Sequence, residues 1–459
     1  MLRPVSEPIV TAAEVRRAVL DPEAGSEPYI LSGARVEGAL ALDGAEIRRL
    51  VRFEGCRFDG PVTLEGAATL AFTVTECTLP RFHAPTAQIA GRLDLRGSTI
   101  SGGDRRGAVN LVHAHIAGGL RLDRAHLVSP EGLALNGGGL VMQGGVFCED
   151  GFLAHGRIAL PGAEIPGGLW MHGARIVMPE PDGIAFLGDS LRASTVRMNQ
   201  GFRADGRIRL RGARIDDLLS FHEAELLGVG ASLMCVGAQM EALDLRMARP
   251  AAGAVNLRNA RATRLQDRPR TWLGPLYLDG LTYDWLESTA STQREDCANR
   301  LTWLHLQPEY VPQPYEQLAA HYRRLGHEDE ARRVLLVRER RRRATLGPAG
   351  RIWGGLLDAT VGYGYRPWLA GIWLVLLTLL GSLVFRAHTP VPNKQGEGPP
   401  FHPVAYALDL LVPVGGLGQR DMWHWDLPWV QNLAYAMIAI GWILTTAVVA
   451  GVTRTLNRS

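Results

Sequence analysis

Three histidines and five cysteines are the first places to look for chemistry. His113 and His115 stand two apart on an expected strand and His126 follows eleven residues later, a spacing that could begin a metal site. Such a site needs a further thiolate or carboxylate converging on them, and the sequence specifies none, so surface histidines are the expected reading. The cysteines, Cys56, Cys77, Cys148, Cys235 and Cys297, lie at least 21 residues apart with no CxxC pair. That spacing fits neither a zinc ribbon nor a dithiol redox site and suits a reducing compartment. No GxGxxG follows a strand in a βαβ setting, and GxxxxGK[ST], HExxH and GxSxG are missing. No catalytic residue, cofactor site or metal ligand is therefore assigned.

Charge supplies the next candidate. The string RERRRR places Arg338, Arg340, Arg341, Arg342 and Arg343 in one short run. Nucleic-acid binding is the obvious alternative, but 49 Lys and Arg against 46 Asp and Glu leave a net charge of only +3, without the global basic footprint of a nucleic-acid binder. The run lies about 24 residues before a long apolar stretch. In that place it is expected to set membrane topology and to attract anionic lipid, at about 1 kcal/mol per basic residue near the surface.

Two stretches, 367–386 and 430–452, approach the roughly 20 apolar residues that cross a hydrocarbon core. Trp368, Trp373, Trp429 and Trp442 supply interfacial anchors. Arg351 joins the basic run before the first span, and Arg454 and Arg458 follow the second; the intervening 43 residues hold only Lys394 and Arg420 beyond Arg386. The basic flanks place both termini in the cytoplasm of a two-pass plasma-membrane protein. The N-terminal segment contains no apolar run of signal-peptide length, which agrees with that placement.

The elements that must carry these residues follow from a repeat. An apolar-x-x-[AS]-x-[IL] unit recurs eight times: at Leu42/Ala45/Ile47, Leu95/Ser98/Ile100, Leu111/Ala114/Ile116, Leu122/Ala125/Leu127, Leu160/Ala163/Ile165, Met171/Ala174/Ile176, Leu210/Ala213/Ile215 and Phe221/Ala224/Leu226. Apolar positions Ile89, Ile116, Leu140, Ile165, Leu191, Ile215 and Met240 recur at 24 to 27 residues, a rung of about 25. A rung of short strands cannot bury its own inward side chains and must stack on its neighbours. The fold class is mainly β: a right-handed β-solenoid over 29–286, after an N-terminal lead-in at 1–28 with a short helix over 11–20. Outward positions are Arg35, Glu46, Gln88, His115, His126, Glu164, Arg175, Arg214 and Glu225, all solvated. Over 287–348 the pattern turns helical: Leu318, Tyr322 and Leu325 share a face after Pro314, Gly326 ends that helix, and Ala331, Val334 and Leu335 continue on the next. This α-helical hairpin is expected to cap the last rung. The membrane domain is 349–459.

The eight pentads resemble the pentapeptide-repeat family of quadrilateral β-helices, with rungs nearer 25 than 20 residues and without that family's Asp or Asn after Ala. Between the spans, 401–419 (FHPVAYALDLLVPVGGLGQ) looks like a degenerate pore loop of bacterial ion channels: Tyr406, Gly416 and Gly418 match, Gln419 replaces the acid, and Pro413 stands where a hydroxyl residue would. With Asp409 these residues form the candidate pore loop, and the alternative is an interfacial helix with Asp409 facing water. Residues 360–364, TVGYG, spell a potassium-filter sequence but precede the first span, where a turn is expected instead. Solenoid, hairpin and paired spans together resemble an actinobacterial family of membrane proteins often catalogued as "membrane-associated oxidoreductase". That resemblance implies redox chemistry for which no residue supplies a cofactor site. The expected function is a membrane-anchored scaffold with a protein partner on the solenoid, anionic lipid beneath it, a possible homo-oligomer, and no nucleic acid.

Overall fold

The computed structural model describes residues 8–102, 105–178, 180, 183–268, 272–287, 290, 292–365, 368–394, 400–412 and 416–456. The chain divides into two units, Met1–Gln317 and Leu318–Ser459.

In the first unit, short parallel strands stack into a β-solenoid of about 12 turns. Each complete rung uses four sides. Ala68–Thr69, Phe72–Thr75, Thr78–Leu79 and Phe82–His83 hydrogen-bond, strand for strand, to Gln88–Ile89, Leu93–Asp94, Thr99–Ser101 and Val109–Asn110 of the next rung. Two-residue strands suffice because alternation sends one side chain in and the next out. Every apolar and small position of the eight pentads is buried except Ala45, which is half-buried, and the outward positions are exposed except Glu225, which is half-buried.

Corners explain the glycine-rich composition. Gly66, Thr86, His113 and Gly139 occupy one corner with φ between 54° and 63°, and Gly97 and Arg124 another with φ of 65° and 59°. The left-handed backbone there costs glycine nothing. His113 is thus a corner residue rather than a strand partner of His115. At Gly144 the constraint is contact: a Cβ would collide with the carbonyl of Gly118 on the rung before.

The ladder departs from an even 25-residue period in two respects. Register places Met142 beside Ile116 and Ala193 beside Ile165, so Leu140 and Leu191 belong to the preceding small-residue column, two positions earlier. Rung length also varies. Outward residues step by 22 and 20 residues from Glu46 to Ala68 to Gln88, by 27 and 26 from Gln88 to His115 to Val141, and by 22 and 21 from Gln239 to Arg261 to Thr282. A mean of 25 describes only the middle of the stack.

Both ends are closed by side chains. At the N-terminal end, strand Ile9–Thr11 pairs with Arg35–Glu37. Helix α1 (Ala12–Val19) starts at a capping box between Thr11 and Glu14, buries Ala12, Val15 and Val19, and is tied to the first rung by Arg16 Nε, which donates to the Ala41 carbonyl at 2.9 Å. The last strand, Thr282–Leu286, would otherwise expose an edge. Gln313 Nε2 donates to Leu281 O at 2.9 Å, Gln317 Nε2 to Tyr283 O at 2.6 Å and Arg300 Nη2 to Glu287 O at 2.8 Å. Arg300 lies on α2 (Gln293–His305), and Gln313 and Gln317 on α3 (Gln313–Arg324).

In the second unit α3 ends at Gly326, whose φ is 77°, and α4 (Glu328–Ala344) follows. Leu318, Tyr322, Ala331, Val334 and Leu335 are buried as their spacing predicts, but Leu325 is 36% exposed. Helices α5 (Pro348–Val361), α6 (Trp368–Arg386), α7 (Pro403–Leu411) and α8 (Pro428–Leu456) follow, with a short antiparallel pair between Val391–Pro392 and Trp423–His424. Short α7 is wedged between α6 and α8 around a core of Phe385, Tyr406, Leu411, Trp425, Val430 and Met437. Gly441 admits this packing, because a Cβ there would collide with Leu411 of α7.

Candidate functional site

The described residues of segment 401–419 form a built site within the second unit. Helix α7 has Pro403 in its first turn and ends at Val412, which has an extended backbone. Residues 417–420 lie against Asp409, which is buried. Asp409 Oδ1 accepts from Leu417 N at 2.7 Å, and Oδ2 accepts from Gln419 N at 2.8 Å and Arg420 N at 2.9 Å. One carboxylate thus gathers three backbone donors, an arrangement strengthened by its charge. Gln419 is buried as well; its Oε1 accepts from His402 N and its Nε2 donates to Pro400 O, both at 3.2 Å. Tyr406 is buried and its hydroxyl accepts from Trp425 Nε1 at 3.1 Å. Gly418 has a φ of 73°, while Gly416 is exposed. The expectation that Asp409 faces water is therefore corrected: its oxygens face inward to the turn. Pro413 lies outside the described residues.

The basic run on α4 is partly engaged within the protein. Arg340 Nη2 and Arg343 Nη1 reach Asp358 on α5 at 3.0 and 3.4 Å. Arg338 and Arg342 pair with Glu339 at 2.5 and 3.8 Å. Arg340 and Arg342 are exposed and Arg338, Arg341 and Arg343 half-buried, so the run both bolts α4 to α5 and presents charge to solvent. The TVGYG string forms the end of α5 and the turn after it: Gly362 is a left-handed cap and Tyr363 has a φ of 54°.

One helix among the described residues, α6, is long and apolar enough to cross a membrane. Its surface is not that of a core helix. Ile372, Val375, Leu376, Leu379, Leu380 and Leu383 are all at least half exposed, Leu383 to 68%. On α8, Trp429, Tyr435, Trp442 and Ile443 are likewise exposed. An apolar surface this continuous marks a membrane or an interface.

On the solenoid, a groove of about 540 Å³ runs across five successive rungs, from Glu46 to Gln143. Its walls include Leu70, 46% exposed, with Ala90, Ala117 and Val141, and its rim carries Gln88 and His115. The repeat pattern shows Gln88 and His115 only as solvated; the groove arises because its walls come from rungs 20 to 27 residues apart in the chain. His126 is outward and exposed, and no group of three His, Cys, Asp or Glu among the described residues is placed to hold a metal.

All five cysteines are buried. Cys56 and Cys77 extend an internal column: Cys56 N–H donates to Cys77 Sγ at 3.3 Å and Cys77 N–H to Ser98 Oγ at 3.0 Å. Burial raises the Cys148 thiol and pushes that of Cys235 up to about 12. Cys148 and Cys235, neutral in apolar surroundings, are packing residues. Comparison of the chain with family models, curated proteins and solved structures finds no match.

Proposed function

We propose that the protein is a membrane-anchored β-solenoid that presents a protein-binding surface at the cytoplasmic face of the plasma membrane. The observation that carries the anchor is the exposed apolar surface of α6, continued on α8. In this reading both helices span the bilayer, Arg338 to Arg343 lie at the anionic inner surface, and both termini are cytoplasmic. The solenoid winds right-handed, the hand that parallel strand connections adopt. The partner lies along the groove lined by Leu70, Ala90 and Ala117, where small side chains admit an extended segment and the rim supplies polar contacts.

A photoreactive residue at Ala90 should capture a discrete partner in native membranes, and one at Thr78, outside the groove, should not. Equal capture at the two positions overturns the groove assignment. Membrane anchoring is tested separately: the chain should resist alkaline extraction, and release by alkali would remove α6 and α8 from the bilayer.

The channel-like reading keeps a specific point in its favour, the wedging of α7 between α6 and α8 with its following turn held by Asp409. A pore would need several chains around one axis, since irregular backbone in a bilayer must line water or protein. Here the Leu417, Gln419 and Arg420 N–H groups find their acceptor, Asp409, within one chain, which favours the anchor. The oxidoreductase implied by family resemblance is tested by purified protein, which in the anchor reading carries no flavin, haem or iron–sulfur absorbance.

A further inference from the structure

A second depression on the solenoid, about 620 Å³, is lined by Arg175, Arg203, Arg249 and Arg268 with Glu223 and Glu225. Gly201 and Ala248 add no bulk to its wall. Four guanidiniums face Glu223 and Glu225 in the wall, and Asp205 lies 2.9 Å from Arg203, so the guanidiniums outnumber these carboxylates by one.

Register makes the excess local. Arg175 pairs with Arg203 on the next strand, and Arg203 with Glu225 on the one after. Strands so stacked are about 4.8 Å apart, and like charges directly opposite destabilise a sheet. Arg203 is compensated by Asp205 at 2.9 Å and Glu225 at 3.9 Å, and Arg249 by Glu225 at 2.7 Å. Arg175 is exposed and has no ion pair among the described residues. The carboxylates therefore hold two guanidiniums in place beside a third that is left to a visitor.

We propose that this depression binds a ligand carrying a phosphate group. Arg175 and Arg203 grip it as a stacked pair, and Arg249, oriented by Glu225, closes the side. Phosphate suits the site better than a single carboxylate because its oxygens point in several directions at once and match planar guanidinium forks. The site belongs to the solenoid alone and is independent of the groove and of the membrane reading.

The test uses the full chain in nanodiscs of neutral lipid and inorganic pyrophosphate as probe, followed by isothermal titration at about 0.1 M ionic strength, where exposed charges are already screened. One saturable site is expected. Arg175→Gln should weaken it by about tenfold, the loss of one charge-assisted contact, and Arg175→Gln with Arg249→Gln further, with thermal unfolding unchanged. Arg57→Gln, an exposed arginine in the same outward column, should leave binding intact. Absence of saturable binding, or an equal loss in Arg57→Gln, overturns the proposal. A second arm adds phosphatidic acid to the nanodiscs. A fall in pyrophosphate affinity that Arg175→Gln abolishes assigns the site to a lipid phosphate, and unchanged affinity assigns it to a soluble one.

Discussion

Asp267 and Arg300 close the C-terminal end of the solenoid through an ion pair of 2.5 Å in which neither side chain is more than 1% exposed. Trp272 Nε1 donates to the other Asp267 oxygen at 2.6 Å. Burial works against the Arg300 charge, but the Asp267 carboxylate outweighs it and raises the guanidinium pKa further. Breaking such a pair leaves one buried charge uncompensated, at a cost of about 3–5 kcal/mol. Arg300→Met should therefore lower the unfolding midpoint sharply, and Arg300→Met with Asp267→Leu should recover much of the loss. Urea unfolding followed by circular dichroism checks both, and a double variant as weak as the single one would contradict the account.

Inward and outward columns give the second prediction. Ile165 is fully buried beside Ala193. Ile165→Asp puts an unpaired carboxylate in a dry column and should cost several kcal/mol, of the order of 2–7 kcal/mol for a buried polar group without a partner. Arg175→Gln, on the outward column, should leave stability nearly unchanged. Equal thermal shifts in the two variants would show the register to be wrong.

Thiol reactivity gives the third. With the Cys235 thiol pushed up to about 12 by burial, almost no thiolate exists at neutral pH. Site-resolved mass spectrometry after iodoacetamide should find Cys148 and Cys235 unmodified in the native protein and fully alkylated after denaturation. Rapid native alkylation at Cys235 would place it outside the core.

A fourth concerns acid. Burial raises the Asp244 carboxyl, but hydrogen bonds from Arg246 and its charge outweigh that and hold it below the ordinary carboxylate range. Because the folded value is the lower one, the stabilisation is complete above the unfolded value and fades as pH falls through the folded one. Stability should thus drop on the acid side of the ordinary carboxylate range. Asp244→Asn should flatten that limb, and an unaltered pH profile would mean that the pair contributes nothing.

The solenoid was legible because its signal is local: each pentad places Leu, Ala and Ile within six residues, and alternation decides which of them faces inward. Leu140 and Leu191 misled because each apolar residue sits two positions before the true ladder members, Met142 and Ala193, and is itself buried. Interactions between distant segments left no local trace. Asp358 meets Arg340 and Arg343 from the next helix, and the groove is assembled from five rungs. Asp409 looked like a solvated acid at the end of a short helix because its three donors come eight to eleven residues later, after a turn that the pattern alone does not close.

The last prediction follows from that turn. An asparagine at position 409 has one acceptor oxygen where the carboxylate has two, and its amide nitrogen would confront N–H groups it cannot bind. Asp409→Asn should therefore free at least one of the Leu417, Gln419 and Arg420 amides, at about 1–3 kcal/mol for an orphaned buried donor. Amide hydrogen exchange over 417–420 should accelerate by about tenfold or more, while α6 remains protected. The same bonds bear on conduction. With Asp409 holding the Leu417, Gln419 and Arg420 amides, and with Gln419 bonded to His402 and Pro400, these donors are satisfied without neighbouring chains. Planar bilayers containing the wild-type protein should then show no cation current. Gly418, with its φ of 73°, should tolerate valine poorly, so Gly418→Val should loosen the turn in the exchange experiment without altering a conductance that is already zero. A wild-type current abolished by Gly418→Val would reverse the assignment, making the turn after α7 the lining of a pore and its bonds to Asp409 the brace behind it.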